Sequence, residues 1–406
     1  MFPALREHDY RRFWITQFIS NIGSWMQSVA QGWLVYRLTN SPMLLGIVGF
    51  AASAPSIVLM LPGGVLADQL DRRKVLRLSQ WAQTFAALAL GVSIWTHRIN
   101  VWQIIAASLI TGVAMSFSSP AYQAMIVDLL DDRKNLPNAV ALNSLQFNLS
   151  RAIGPLLAGL TLAAWGSVSC FILNALSFLP LIRVLGRLKD RQRRNVTVEQ
   201  RMIARLAEGF RYVRGERTVL ILLCVTMIAS LFGFPIITLM PVVARTLFTD
   251  DASGLGYLMA AFGCGALAAA LMLALRMPPV ERMPRVINGA MAVFGLAIGA
   301  IAFGHSLPIV VPLVFVSGLA MVFSFALVNT WIQQRVPDEV RGRVMSMYTY
   351  SFFAFLPVGN LLAGAIAEHA GLKSALLVMG GGVVLTAMIV AIARVEPLPD
   401  RVEDLA

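Results

Sequence analysis

The chain has 406 residues, of which 57% are apolar and 13% are charged, and its mean hydropathy is +0.71. Soluble domains have about 45–50% apolar and about 25% charged residues, so this composition excludes a disordered chain and an ordinary soluble domain. The net charge of +12 is large enough to suggest a nucleic-acid partner, so the positions of the charges matter. The composition predicts an all-α integral membrane protein that crosses the bilayer several times.

Twelve apolar segments are distributed along the chain. Each approaches the length of about 20 residues that a membrane-spanning helix needs. We expect them at 13–36, 43–66, 78–96, 101–121, 139–164, 167–182, 218–243, 255–275, 286–304, 308–331, 344–366 and 373–393. The longest polar stretch divides them six and six. We therefore expect an N-terminal six-helix bundle at 1–182, a cytoplasmic linker at 183–217, and a C-terminal six-helix bundle with a cytoplasmic tail at 218–406.

The Lys and Arg residues are distributed unevenly between the two sides of this predicted membrane protein. Nearly all 33 fall on the side that holds both termini; the exceptions are Arg37, Arg98, Arg245 and Lys373 on the opposite side, and Arg151 inside a span. Basic loops remain in the cytoplasm during insertion, so we expect both termini to be cytoplasmic. The basic charge then reflects topology, and we expect a lipid bilayer and no nucleic acid as partner.

The linker carries an amphipathic pattern. Thr197 and Gln200 form a capping-box sequence. The apolar residues that follow at helical spacing are Val198, Met202, Leu206, Phe210 and Val213. This pattern predicts a helix on the inner membrane surface, which acts either as a tether between the bundles or as a regulatory, lipid-sensing element.

The second half of the chain repeats the first. The segment from Gly154 to Gly159 matches the segment from Gly359 to Gly364 at an offset of 205, and Gly166 and Gly371 keep the same offset. Two parallel six-helix repeats with a substrate site between them are a transporter architecture. Glycines at such spacing let helices approach closely, so we expect helix packing at Gly154, Pro155, Gly159, Gly359 and Gly364.

Polar side chains follow one face of the first predicted span. They are Gln17, Asn21, Ser24, Ser28 and Gln31, at alternating spacings of four and three residues. Such a face points to a bundle interior or a water-filled cavity. It predicts either the lining of a substrate pathway or polar contacts between helices. A similar set, Asn143, Gln146 and Ser150, lies on the fifth span.

Arg151 lies in the middle of the fifth span. An arginine there costs about 2.5–3.5 kcal/mol on insertion scales. Its repeat equivalent is Leu356, so the shared scaffold does not require the charge, and none of the twelve predicted spans contains Asp or Glu. Arg151 either hydrogen-bonds helix ends beside Gly154 and Pro155, or it faces the cavity and binds an anionic group.

The segment between the second and third spans carries a family motif. From Gly64 to Lys74 it resembles the signature loop G-x-x-x-D-R-x-G-R-R of the major facilitator superfamily. The matching residues are Gly64, Asp68, Arg72 and Arg73, whereas Gln69 and Asp71 replace the expected Arg and Gly. With the repeat, the resemblance covers essentially the whole chain. It implies twelve transmembrane helices in two six-helix repeats that rock around a central site.

Four segments resemble one branch of that superfamily more narrowly. Residues 22–27, 33–42, 61–68 and 336–344 are similar to the enterobactin-exporter branch, also called the transmembrane secretion effector family. The resemblance implies export of siderophores or drug-like molecules from bacteria. We expect a siderophore, carried across the inner membrane by a monomer that acts as a proton-coupled antiporter. Alternatives are a multidrug or macrolide-type efflux pump, an importer of the same fold, and a transport-dead membrane sensor. We expect no enzyme activity, no catalytic residues, no cofactor and no metal.

The signature loop is expected to form a latch at the cytoplasmic rim. Asp68 can accept donors at a helix end, and Arg72 can pair with Asp128 at the inner end of the fourth span. The turn with Arg341 and Arg343 before the eleventh span is its possible counterpart in the second half. Alternatively, these charges only set the topology.

One departure from the superfamily concerns proton coupling. Many proton-coupled exporters carry an Arg in the fourth span, four residues before a Gly. With Gly112 as that Gly, the position holds Ser108. Any proton carrier is then expected among rim groups such as Asp68 or Asp128, or on the substrate itself.

Overall fold

The computed structural model describes residues 3–188, 210–247 and 252–392, and these residues form helices and no strands. The first half of the molecule contains α1 (His8–Thr39), α2 (Pro42–Ser53), α3 (Pro55–Gln69), α4 (Arg72–Trp95), α5 (Val101–Asp128), α6 (136–165) and α7 (167–187). The second half contains α8 (Arg217–Phe232), α9 (Ile236–Leu247), α10 (Ala252–Leu275), α11 (Met283–Ile301), α12 (Leu307–Arg335), α13 (338–370) and α14 (372–392). Helices α2 and α3 together correspond to one predicted span, as do α8 and α9.

Eight helical stretches of the described chain are long and apolar enough to cross a membrane. Two of them, Arg133–Arg187 and Val340–Ala391, each contain two helices that meet at a glycine. The prediction of twelve spans also includes α1 and α4. These two are long enough but more polar, because α1 carries the polar face and α4 begins with a run of basic residues.

The glycines that divide the two longest stretches are the repeat-related pair. Gly166 has φ 74° and Gly371 has φ 84°, and both values belong to the left-handed region that favours glycine. In both halves the chain therefore reverses between two helices without a loop. This shared backbone feature agrees with the repeat seen in the sequence.

Several helices extend beyond the ends of the predicted apolar segments, because capping groups stabilise further turns in the polar region. Asp71 caps α4 by accepting a hydrogen bond from the Arg73 amide at 3.0 Å, and Asn100 forms a capping box with Gln103 at the start of α5. The expected turn at Arg341 and Arg343 is wrong: both lie inside the first turns of α13. Proline followed by acidic residues favours a helix start, which explains the earlier beginning.

The two ends of the helix bundle are named here by their loops. The termini side includes residues 70–71, 129–135, 276–282 and 336–337, and the far side includes residues 40–41, 96–100, 166, 302–306 and 371. Most of the predicted linker helix, including Thr197, Gln200, Val198, Met202 and Leu206, lies outside the described residues. Its last part, 210–215, is helical, with Phe210 exposed and Val213 buried.

Candidate functional site

The polar face of α1 is partly open. Gln17, Asn21, Ser24 and Gln31 are half-buried and Ser28 is exposed. The two serine hydroxyls donate to carbonyls of their own helix, and Gln17 donates to Asn21 at 2.9 Å. Gln31 donates to Ser108 of α5 at 2.9 Å. Among the described residues of this face, it is the one whose side chain hydrogen-bonds another helix. Within the part of the chain that the structure describes, most of the face therefore makes no side-chain hydrogen bond to another helix.

The polar residues of α6 have a different environment. Gln146 is fully buried; its amide nitrogen donates to the Trp14 carbonyl at 3.2 Å, and its oxygen accepts from Tyr122 at 3.3 Å. The Tyr122 hydroxyl also donates to Asn143. Gln146 thus joins α6 to α1 and α5 within the first half. Sequence periodicity identified its face, but the neighbouring helices cover that face at this level.

Arg151 lies on α6 at mid-depth with only 5% of its surface exposed. The guanidinium carbon is 5.6 Å from the Trp25 ring centre and 4.8 Å from that of Phe262, and Phe234 is at 6.0 Å. Its Nη2 lies 3.9 Å from the Met321 sulfur. Three of these four neighbours belong to the second half, so Arg151 lies between the halves. Among the described residues, no hydrogen bond supports the alternative in which Arg151 binds helix ends beside Gly154 and Pro155.

An aromatic wall continues from Arg151 into the second half. Phe234 contacts Phe352 edge-to-face with ring centres 4.7 Å apart, Phe352 contacts Phe325 at 5.3 Å, and Phe353 follows at 5.1 Å. These four rings are half-buried. Edge-to-face rings form a stiff apolar surface. The central region thus has amide and hydroxyl groups on the first half, a guanidinium between the halves and phenyl rings on the second.

Two glycine contacts bring the halves together towards the far side. A side-chain carbon at Gly256 would lie 2.6 Å from the Gly159 Cα atom, so α6 and α10 touch through their backbones. A side-chain carbon at Gly364 would lie 3.0 Å from the Gly46 Cα atom, so α13 and α2 do the same. Gly159 and Gly364 are repeat equivalents. The two closures are therefore related by the internal repeat.

Gly154 and Gly359 pack inside their own halves. A side-chain carbon at Gly154 would lie 2.5 Å from the Trp25 Cβ atom, and Gly359 contacts the backbone of Leu231. Trp25 lies on α1 and Leu231 on α8, the first helix of each half. These glycines hold α6 against α1 and α13 against α8.

Polar contacts at the far side were not foreseen from the sequence. Glu368 of α13 accepts from the Ser41 hydroxyl at 2.8 Å and from the Met43 amide at 3.1 Å, at the start of α2. Arg245 of α9 donates to Asn40 at 2.9 Å and lies 5.3 Å from the Tyr36 ring. Each contact joins the two halves. The sequence signal that could have found them is that Glu368 and Arg245 are charged residues at the ends of apolar segments, on a side that carries few charges.

The basic motif at the termini side forms defined contacts. Arg72 Nη1 lies 2.7 Å from Asp128 Oδ2, which confirms the predicted pairing of these residues. Arg73 binds both Asp71 carboxylate oxygens and donates to the Leu188 carbonyl at the end of α7. Hydrogen bonds from Arg73 hold the pKa of Asp71 below its usual value. Neither the packing of Gly64 nor the side chain of Asp68 belongs to the described part of the structure.

A pocket of about 480 Å³ opens beside the Arg72–Asp128 pair, and Asp131 and Arg133 also line it. Within the described part of the chain, no three His, Cys, Asp or Glu side chains are placed to hold a metal ion. Among the described residues, charged groups at the termini side form ion pairs.

Comparison with known proteins identifies the family of this chain. A family model described as transmembrane secretion effector matches residues 1–404. The chain belongs to this family of the major facilitator superfamily. It is therefore a small-molecule transporter of the membrane and not an enzyme.

Curated relatives of this family member cover nearly its whole length. The staphyloferrin A transporter of Staphylococcus aureus (strain NCTC 8325 / PS 47) is 24% identical, over 93% of this chain and 94% of the relative. The multidrug efflux pump Tap of Mycolicibacterium fortuitum is 26% identical over 88% of each, and macrolide efflux protein A of Streptococcus pyogenes is 23% identical over 97% and 96%. These names support an efflux transporter of the superfamily.

Solved structures share the fold. The nucleoside transporter NupG matches with a TM-score of 0.73 and 13% identity, covering 95% of this chain and 99% of that one. A bacterial homolog of the human lysosomal transporter Spinster, inward-facing and unoccupied, matches with a TM-score of 0.75 and 12% identity, covering 98% and 100%. At these identities the likeness concerns the fold alone.

Proposed function

We propose that this transporter exports an amphipathic organic molecule, a siderophore, from the cytoplasm by alternating access. The observation that carries the proposal is the pair of repeat-related glycine contacts that close the halves at the far side. Rocking of the halves about the centre would open these contacts and close the termini side. The described arrangement supports the far-side-closed state of this cycle.

The direction and orientation rest on the charge distribution. With the basic loops in the cytoplasm, the termini side faces the cytoplasm and the far-side-closed state loads substrate from inside. We place the protein in the bacterial inner membrane with both termini cytoplasmic, and we propose that one chain suffices, because the central region is formed within it. The family match, the staphyloferrin A transporter and the multidrug efflux pump among the relatives support this assignment.

We further propose proton antiport with the rim latch as part of the cycle. The Arg72–Asp128 pair and the Asp71–Arg73 contacts fix the start of α4 next to the motif that contains Asp68. Asp68→Asn is expected to leave insertion intact and to slow transport severely, because an amide cannot supply the negative charge that the proposed latch requires. Normal transport rates at equal expression would remove the latch from the mechanism.

The experiment that tests the substrate is a deletion strain grown under iron limitation. We expect siderophore synthesis to continue, the secreted siderophore to be depleted, and the siderophore or its precursors to accumulate inside the cells. Complementation with the wild-type chain should restore secretion. Uptake driven inward in vesicles would instead overturn export.

The second candidate function is multidrug or macrolide efflux. The aromatic wall of Phe234, Phe325, Phe352 and Phe353 favours it, because such surfaces bind apolar molecules of varied shape. Unchanged siderophore secretion in the deletion strain, together with hypersensitivity to macrolides, would assign this function.

A further inference from the structure

Arg151 is a charged group at the centre, and its environment among the described residues does not match its chemistry. Its Nε atom is buried with no hydrogen-bond partner, and the acceptor nearest to Nη2 is the Met321 sulfur at 3.9 Å. Sulfur is a weak acceptor, whereas a guanidinium is suited to a carboxylate that binds two of its N–H groups. No Asp or Glu among the described residues contacts it. The guanidinium therefore retains donors for an acceptor from outside the chain.

The surroundings compensate the charge only in part. Cation–π contacts contribute about 0.5–1 kcal/mol each at exposed sites and about 2 kcal/mol when desolvated. They favour the positive charge but accept no N–H hydrogen bond along the guanidinium edge. The cost of an intramembrane arginine is thus tolerated rather than removed, which is typical of functional positions.

Packing alone does not explain the residue. The repeat equivalent is Leu356, which shows that an apolar side chain fits the corresponding helix of the same fold. The close backbone approach at this level is made by Gly263 against the main chain of Arg151 and Ala152, and it does not involve the guanidinium. A leucine at 151 would keep that approach.

We infer that Arg151 binds the anionic group of the substrate and makes the carrier selective for organic anions, namely molecules that join a carboxylate or a deprotonated catechol to an apolar or aromatic body. The inference rests on the proposed transport function and narrows its substrate class. The anion takes the place of the Met321 sulfur, since methionine is flexible enough to move aside. The apolar body then packs on Phe234 and the rings beyond it.

This arrangement also links binding to movement of the halves. Arg151 belongs to the first half, whereas Phe234, Phe262 and Met321 belong to the second. An anion bound to Arg151 with its body on Phe234 contacts both halves at once. Occupancy can therefore change the relative stability of the two states, as transport requires.

The test compares an anionic and a cationic fluorescent probe. Binding of fluorescein and of ethidium to the purified protein in detergent is measured by anisotropy, and efflux of both probes is measured in cells. The variants are Arg151→Leu, Arg151→Lys and the control Leu156→Ala, which alters an exposed side chain of the same helix. Thermal unfolding of each variant shows whether it is folded.

We expect Arg151→Leu to lower the ratio of fluorescein to ethidium affinity at least about tenfold, the size of one lost charged hydrogen bond. Arg151→Lys should retain part of the preference, because it keeps the charge without the planar fork. Leu156→Ala should match the wild type. An unchanged ratio in folded Arg151→Leu, or no fluorescein binding by the wild type, would overturn the inference. If binding follows this pattern but siderophore secretion is unchanged in the deletion strain, the anion site stands and the proposed function fails.

Discussion

At the residue scale, single polar groups carry the contacts that distinguish this chain from an apolar helix bundle. Glu368 is an example, because its carboxylate lies at the start of α2, where two donors of the other half meet it. A negative charge at a helix N-terminus contributes about 0.3–1 kcal/mol. That contribution exists only while the far side is closed, so Glu368 acts on the balance between states.

The corresponding prediction concerns Glu368→Ala and Glu368→Gln. Alanine removes both accepted hydrogen bonds and should shift the population towards the far-side-open state, whereas glutamine keeps an acceptor oxygen and should shift it less. The measurement is the rate at which an impermeant thiol reagent labels Gln31→Cys in a background without Cys170, Cys224 and Cys264. Equal labelling rates in all three proteins would show that Glu368 does not stabilise the closure.

The sequence predicted some of these residue contacts and missed others for physical reasons. Arg72 and Asp128 were paired correctly, because each lies at a helix end on the same side. Glu368 was missed, because α13 extends beyond its apolar stretch and carries the carboxylate towards a loop far away in the chain. The partners of Arg151 come from distant parts of the chain, which periodicity on one helix does not specify.

At the element scale, helices meet where glycine removes the side chain. Helices α6 and α10 touch through Gly159 and Gly256, and α2 and α13 touch through Gly46 and Gly364. In lipid the attraction between helices comes mainly from close packing, so these contacts depend on the absence of a Cβ atom. The apolar segments and the glycine repeat were visible in the sequence. Their pairing across the halves required the three-dimensional arrangement.

Gly364→Leu is predicted to prevent closure of the far side. Its side chain would meet the Pro42 carbonyl oxygen within 2.7 Å and the Gly46 backbone within 3.2 Å, both of which are main-chain atoms that cannot rotate away. The Gln31→Cys reporter should be labelled faster and export should fall severely. Gly381→Leu is the matched control, since nothing lies within 4 Å of that position. Similar labelling in both variants would contradict the closure.

At the scale of the whole molecule, the two halves have the same scaffold and different chemistry. The repeat preserves the left-handed glycines and the closing contacts, whereas the first half presents a polar face and the second an aromatic wall. Under the proposed function, the shared scaffold lets both halves move alike. The difference in chemistry would then hold an amphipathic molecule in one orientation between them.

The orientation of the whole molecule gives a further prediction. A cysteine placed within 191–216 should not react with an impermeant thiol reagent added to intact cells, because the proposed topology puts the basic linker in the cytoplasm. A cysteine at Ser306 should react, since its loop belongs to the far side. Both results are read in the cysteine-free background, and reversal of the two would invert the topology and the direction of export.

The most direct test of alternating access is a reversible lock on the far side. Ser41→Cys and Glu368→Cys, whose native side chains are joined by a 2.8 Å hydrogen bond, are linked by a bifunctional thiol reagent that reductants cleave. We predict that the linked protein stops exporting fluorescein and that reduction restores export, while either single-cysteine protein is unaffected by the reagent. Continued export at the unlinked rate with the cross-link complete would contradict alternating access between the halves.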